Sequence, residues 1–187
     1  MREDHWLVDF GVGRDFGLGN NAMWTLGVRV ADVRSKLNGN FNITTVGLAA
    51  SPTTIAIQEK STFVGAGPRL GVQGNTPLGG QWSVDWQAGA AALIGERTLT
   101  ITANTAGIAF AGSQTDTPVI FNVDAQAGLS YSFNPNLKFT MGYRFDDYFK
   151  ALKTLVVTNA TSTTPTVAVT SIDRSYSGPV VRLTSKF

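Results

Sequence analysis

The stretch Val119-Ile120-Phe121-Asn122-Val123-Asp124-Ala125-Gln126-Ala127-Gly128-Leu129-Ser130-Tyr131-Ser132-Phe133 alternates without a break. Its odd positions are all apolar, and its even positions after Ile120 are all polar or small. A period of two belongs to a β-strand, whose successive side chains point to opposite faces. At 15 residues it is far longer than the usual strand of about five or six. In a bilayer every backbone polar group must be satisfied internally, so strands cross only as barrels, with lipid against the apolar face. The pattern predicts a membrane-spanning β-barrel.

The same alternation recurs over residues 6–13, 24–31, 64–73, 82–92, 137–145 and 180–187, giving seven candidate strands. The connections fall into two classes. Residues 15–21, 75–80 and 134–136 are short and rich in Gly, Asn and Pro, the chemistry of tight turns. Residues 34–60, 97–118 and 150–174 each exceed 20 residues. Outer-membrane barrels show this asymmetry, with short periplasmic turns and long extracellular loops. Within the long loops, 42–46 with 54–57, 98–102 with 108–110 and 155–158 with 167–170 read as Thr-rich hairpin arms that carry the strands beyond the membrane.

The expected fold is all-β: an antiparallel transmembrane up-and-down β-barrel of about eight or more strands, one domain over residues 1–187. Bacterial barrels normally have an even strand number. Seven is odd, and the start Met1-Arg2-Glu3-Asp4-His5-Trp6 has no apolar signal core. Either one or more upstream strands lie outside this chain or a strand within it escapes the pattern; the missing signal core favours a processed or truncated start.

Composition agrees. Hydrophobic residues make up 43%, yet no run approaches the roughly 20 apolar residues of a membrane helix. Mean hydropathy is +0.03, and only 15% of residues are charged, against about 25% in an ordinary soluble domain. Cysteine is absent, which excludes disulfides and thiol chemistry. A net charge of +2 without a Lys/Arg cluster argues against nucleic acid. The single His5 cannot build a Ser–His–Asp set or a multi-histidine metal site, so no enzyme, metal or cofactor is expected. Asp146-Asp147 and Glu96-Arg97 read as solvated strand ends. The glycine patterns at 11–13 and 17–19 precede no helix and are poor phosphate loops.

The inward faces carry a repeated pairing. Across the three short hairpins, Asp9 lies opposite Arg29, Arg69 opposite Asp85, and Asp124 opposite Arg144, at similar depths; Arg182 adds a fourth cation. These charges face the lumen, because Arg on the lipid side costs roughly 2–4 kcal/mol at the midplane. They form either a salt-bridge network filling a narrow barrel or a charged constriction. Phe10, Trp24, Trp82, Tyr131, Phe133, Phe139 and Phe187 fall near the periplasmic ends, and Trp6, Tyr148 and Phe149 near the outer ends, as aromatic girdles do. In a soluble β-sandwich the same aromatics would form a core, but strands would be shorter and loops more even.

Residues 63–71, with 74–80, then 88–95 closing in Leu93-Ile94-Gly95, and 176–183 running to Phe187, resemble the Legionella-type major outer-membrane protein family of pore-forming barrels. The ending Val181, Leu183, Phe187 is similar to the C-terminal signal read by the barrel-insertion machinery. Gly67-Pro68 and Gly178-Pro179 fit that pattern. Because proline removes a ladder donor and glycine permits a bulge, they are expected to bend their strands. The resemblance implies a bacterial outer-membrane protein passing small solutes by passive diffusion. The alternative is a closed barrel whose hairpins make adhesive or surface-lattice contacts. The partners expected are outer-membrane lipid including lipopolysaccharide and the insertion machinery; a homo-oligomer is compatible with either reading.

Overall fold

The computed structural model describes residues 2–16, 22–43, 53–105, 108–159 and 166–185. These form eight strands: β1 (Arg2–Asp15), β2 (Ala22–Ile43), β3 (Thr53–Gly79), β4 (Trp82–Thr105), β5 (Ile108–Asp116), β6 (Val119–Asn134), β7 (Leu137–Asn159) and β8 (Thr166–Ser185). One antiparallel sheet runs β1-β2-β3-β4-β6-β7-β8. β5 pairs with the outer part of β4 (residues 97–105), above the part that pairs with β6.

β6 shows what its alternation is for. Phe121, Leu129 and Phe133 are 62%, 46% and 55% exposed, whereas Asn122, Asp124, Gln126 and Ser130 are buried. Polar inside and apolar outside inverts a soluble fold, where each exposed Å² of apolar surface costs about 25 cal/mol in water. Against lipid that cost disappears. Leu70, Ile94, Met141 and Val181 are exposed in the same way on β3, β4, β7 and β8.

The sheet is curled, as its cross-lumen contacts require. β2 and β6 lie three positions apart in the sheet, about 14 Å if it were flat, yet Arg29 on β2 reaches Asp124 on β6 at 2.9 Å. β1 and β8, the two edges, meet through Glu3–Arg174 at 3.1 Å and a His5–Tyr176 stack with centroids 4.4 Å apart. The order places β1 and β8 in the same direction, and no ladder joins them among the described residues. The arrangement is that of an up-and-down barrel with an unladdered seam.

The long connections are mostly ladder. β2–β3 pairing continues to Ile43↔Thr53, β4–β5 to Thr105↔Ile108, and β7–β8 to Asn159↔Thr166, so the Thr-rich arms extend the barrel outward as hairpins. Positions 44–46 of the first expected arm lie outside the described residues. At the opposite end, Gly79 and Gly80 adopt φ of 120° and 58° in the β3–β4 turn, conformations glycine adopts without strain.

The Gly-Pro sites leave the strand register intact. Neither Gly67-Pro68 nor Gly178-Pro179 makes a bulge. The β3–β4 register is unchanged from Ala66↔Ile94 to Arg69↔Ala91, and Gly178 and Pro179 pair in sequence with Arg144 and Tyr143. β8 is an edge strand, where proline is tolerated. Register shifts fall instead at Pro77/Gly79, Ser132/Asn134, Tyr148/Leu152 and Val157/Asn159.

Candidate functional site

A layer of paired charges crosses the lumen at mid-depth. Asp9 and Arg29 are directly opposed on β1 and β2, and the Arg29 guanidinium donates Nε and Nη2 to the two Asp9 oxygens, each at 2.7 Å. Fully buried, Arg29 also meets Asp124 at 2.9 Å and Asp146 at 3.6 Å, and donates to Asn122 Oδ1. Arg69 pairs with Asp124 at 2.7 Å and Asp9 at 3.6 Å. Arg144 pairs with Asp146 at 2.6 Å.

Two of the three expected hairpin pairs are rearranged. Arg69 lies opposite Ala91, while Asp85 lies opposite Asn75. Six residues of β4, about 20 Å of strand, separate the two levels. Asp85 instead binds Lys138 at 2.7 Å and accepts from Ser130. Asp124 lies opposite Asp146, not Arg144; the register shift at Ser132/Asn134 spoils counting from the turn. Arg182 meets no carboxylate among the described residues and reaches the amide oxygens of Gln87 and Gln126 at 3.5 Å.

Asp146 is not a solvated strand end. Even positions of β7 face inward, so it shares the lumen with Arg144 and is buried. Tyr148 follows the same parity: it is fully buried in the lumen beside His5, with centroids 5.7 Å apart, and does not belong to the girdle. Arg69 reaches Asp124 by crossing β4 at Gly89, where a Cβ would collide with the guanidinium and lie 3.0 Å from the carboxylate. A side chain at 89 would push the guanidinium off this path.

Above the charged layer the lumen is apolar. Val33, Phe63, Leu93 and Ile120 are buried there together with Tyr148, Ala151 and Leu152 of β7. β7 reaches this position by breaking its register. Between Tyr148↔Arg174 and Leu152↔Ile172 it inserts three residues against one on β8, and Lys150 turns left-handed at φ 55°. Beyond that hinge the β7–β8 hairpin leans across the mouth. The Lys153 and Leu155 N–H groups donate to Ser61 Oγ at 2.9 Å and Glu59 Oε2 at 3.3 Å on the far wall.

A latch holds the hairpin down. The buried Arg97 of β4 forks onto Asp116 at 3.0 and 2.7 Å, and its Nη1 donates to Lys150 O at 2.6 Å and Ser171 Oγ at 3.0 Å. Lys153 pairs with the same Asp116 at 3.1 Å. Glu96-Arg97 is thus only half a solvated end: Glu96 is exposed, and Arg97 is the centre of the latch.

The Arg97 hydrogen bond, aided by Lys153 and opposed by partial burial, lowers the Asp116 carboxyl from its ordinary 3.8 to about 2. A folded-state value below the unfolded one stabilises above the ordinary value and fades as pH falls through the folded one. The Lys153 share of that shift is the part linked to the hairpin, so its docking should weaken between about pH 4 and 2. Pepsin, which works across that window, should cut wild type near Leu152 and Leu155 faster relative to Asp116→Asn as pH falls. A constant ratio would remove Asp116 from the latch.

Below the charged layer a vestibule of about 820 Å³ opens at the short-turn end, lined among others by Asp85, Gln87, Gln126, Lys138 and Arg182. Outside, Trp6, Phe10, Trp82 and Phe133 are exposed, and Trp24, Tyr131 and Phe139 half-buried on outward positions. Val181 and Leu183 point outward on β8; Phe187 lies outside the described residues.

The sequence reading missed Asn122, Asp146, Gly89, Arg97, Asp116 and Lys153. Parity with Asp124 and Arg144 was a sufficient signal for Asn122 and Asp146. Asp116 and Lys153 lay in segments read as loops.

A family model described as Legionella pneumophila major outer membrane protein precursor matches residues 3–187. No curated protein and no solved structure matches the chain.

Proposed function

From the premise that the chain belongs to the Legionella major outer-membrane protein family, and so resides in the bacterial outer membrane, we propose that it is a pore-forming barrel shut at its outer mouth. The observation that carries this reading is the nature of the block. Its outermost part is a hinged hairpin held by side-chain bonds, stacked on the Arg29 layer that also crosses the lumen, above a polar-lined vestibule. With the hairpin withdrawn, Arg29, Arg69 and Arg144 would line the narrowest level, where fixed charge selects among small solutes.

A closed structural barrel is the second reading, favoured by the complete burial of Phe63, Leu93 and Leu152. Its hairpins would serve surface contacts. Single-channel recording in planar bilayers separates the two. Wild type should open rarely, and Arg97→Ala should give frequent current steps whose ion selectivity shifts on Arg69→Gln. Folded wild type and folded Arg97→Ala that both stay silent would overturn the pore reading and leave the closed barrel.

A further inference from the structure

The outward face carries a row of cations at the long-hairpin end. Register aligns Arg2, Lys36 and Lys60 as neighbours across β1, β2 and β3. All three sit on even positions, the parity of the exposed Trp6, Val28 and Val64, and all three are exposed. Neighbouring strands are about 4.8 Å apart, so the three charges span about 10 Å at their roots.

Of the carboxylates nearby, Asp32 and Asp4 are already occupied, and Glu96 lies four rungs below Lys60, level with Asp32. Asp32 is buried beneath Arg34, which forks onto it, and accepts from Trp6 Nε1 at 3.0 Å. Asp4 pairs with Arg2 at 3.2 Å. Among the described residues neither Lys36 nor Lys60 has a carboxylate within salt-bridge distance, and the two face each other directly across β2–β3. Like charges directly opposed on one face of a sheet are destabilising. A bound anion removes that repulsion.

The height of the row says which anion. Trp6 marks the upper edge of the exposed apolar band, and Lys36 lies four residues beyond its partner Asp32. On a tilted strand that is about 10 Å higher, and flexible lysine stems reach back toward the interface. This is the level of outer-leaflet headgroups.

We propose that Lys36 and Lys60, flanked by the Asp4-paired Arg2, form a binding site for the phosphate groups of lipid A. The site rests on the outer-membrane location and not on conduction. The test is titration of the full chain, folded in dodecyl maltoside, with diphosphoryl lipid A. Lys36→Gln/Lys60→Gln should bind about tenfold more weakly at low salt, and Lys36→Arg/Lys60→Arg should retain binding. Dephosphorylated lipid A should bind wild type as weakly as diphosphoryl lipid A binds the Gln pair. Equal affinity of wild type and the Gln pair would overturn the proposal. So would equal binding of dephosphorylated lipid A and the diphosphoryl form, or binding of inorganic phosphate as tight as that of the lipid. Both lysines are solvent-facing, so a folding failure does not confuse the result.

Discussion

Replacing Arg29 by Met should cost about 3–5 kcal/mol of folding free energy, because it leaves buried carboxylates without their cation. Arg29 bonds Asp9 bidentately and touches Asp124 and Asp146, and its side chain and that of Asp124 have no solvent access. Methionine fills the volume but leaves three carboxylates to Arg69 and Arg144 alone. Urea unfolding in detergent, followed by the loss of heat-modifiable gel mobility, measures the effect. Arg29→Met with Asp124→Asn restores two cations against two carboxylates and should recover at least half of the loss. Arg29→Lys should fall between, since an ammonium cannot fork onto Asp9 while reaching Asn122. Unfolding of Arg29→Met at the wild-type urea concentration would mean that the charged layer does not hold the barrel together.

What the sequence made legible was set by period and parity. Alternation alone places Phe121 against lipid and Asp124 in the lumen, and the contrast of short and long connections orients the strands. Asp9–Arg29 was readable because its hairpin has no register shift. Arg69–Asp124 was not, since it depends on an arginine lying across a third strand and on the notch at Gly89. Tyr148 and Asp146 were misplaced for a different reason. Each shares the parity of Arg144, but proximity to an expected strand end outweighed parity, while β7 in fact continues to Asn159. The arms 155–158 and 167–170 of the last hairpin are legible, but its lean across the mouth is not. It depends on Lys150 adopting a left-handed conformation, which is uncommon outside glycine, and on Arg97 bonding a carbonyl 53 residues away. Neither leaves a mark in hydropathy.

That hairpin gives the second large effect. Leu152 is fully buried against Phe63 and Leu93, so a cysteine at 152 in this cysteine-free chain should resist a membrane-impermeant maleimide at pH 7.5. Adding Arg97→Ala removes the two hydrogen bonds that reach the hairpin, at Lys150 and Ser171, besides the two to Asp116 on β5. At a net of about 1.5–3 kcal/mol for each bond to a charged group, loss of the two that reach the hairpin outweighs the roughly 1.5–3 kcal/mol from burying one leucine side chain. Labelling should accelerate at least tenfold, while the urea midpoint of the barrel moves little because Arg29 and its partners are untouched. Lys150→Gly, relieving the hinge, should slow labelling slightly relative to Leu152→Cys alone. Fast labelling without Arg97→Ala would show a hairpin that is never latched, and unchanged slow labelling with it would show that apolar packing alone holds the mouth shut. Only acceleration confined to the latch variant fits a hairpin whose docking is set by Arg97, and it would do so without reference to ion flow.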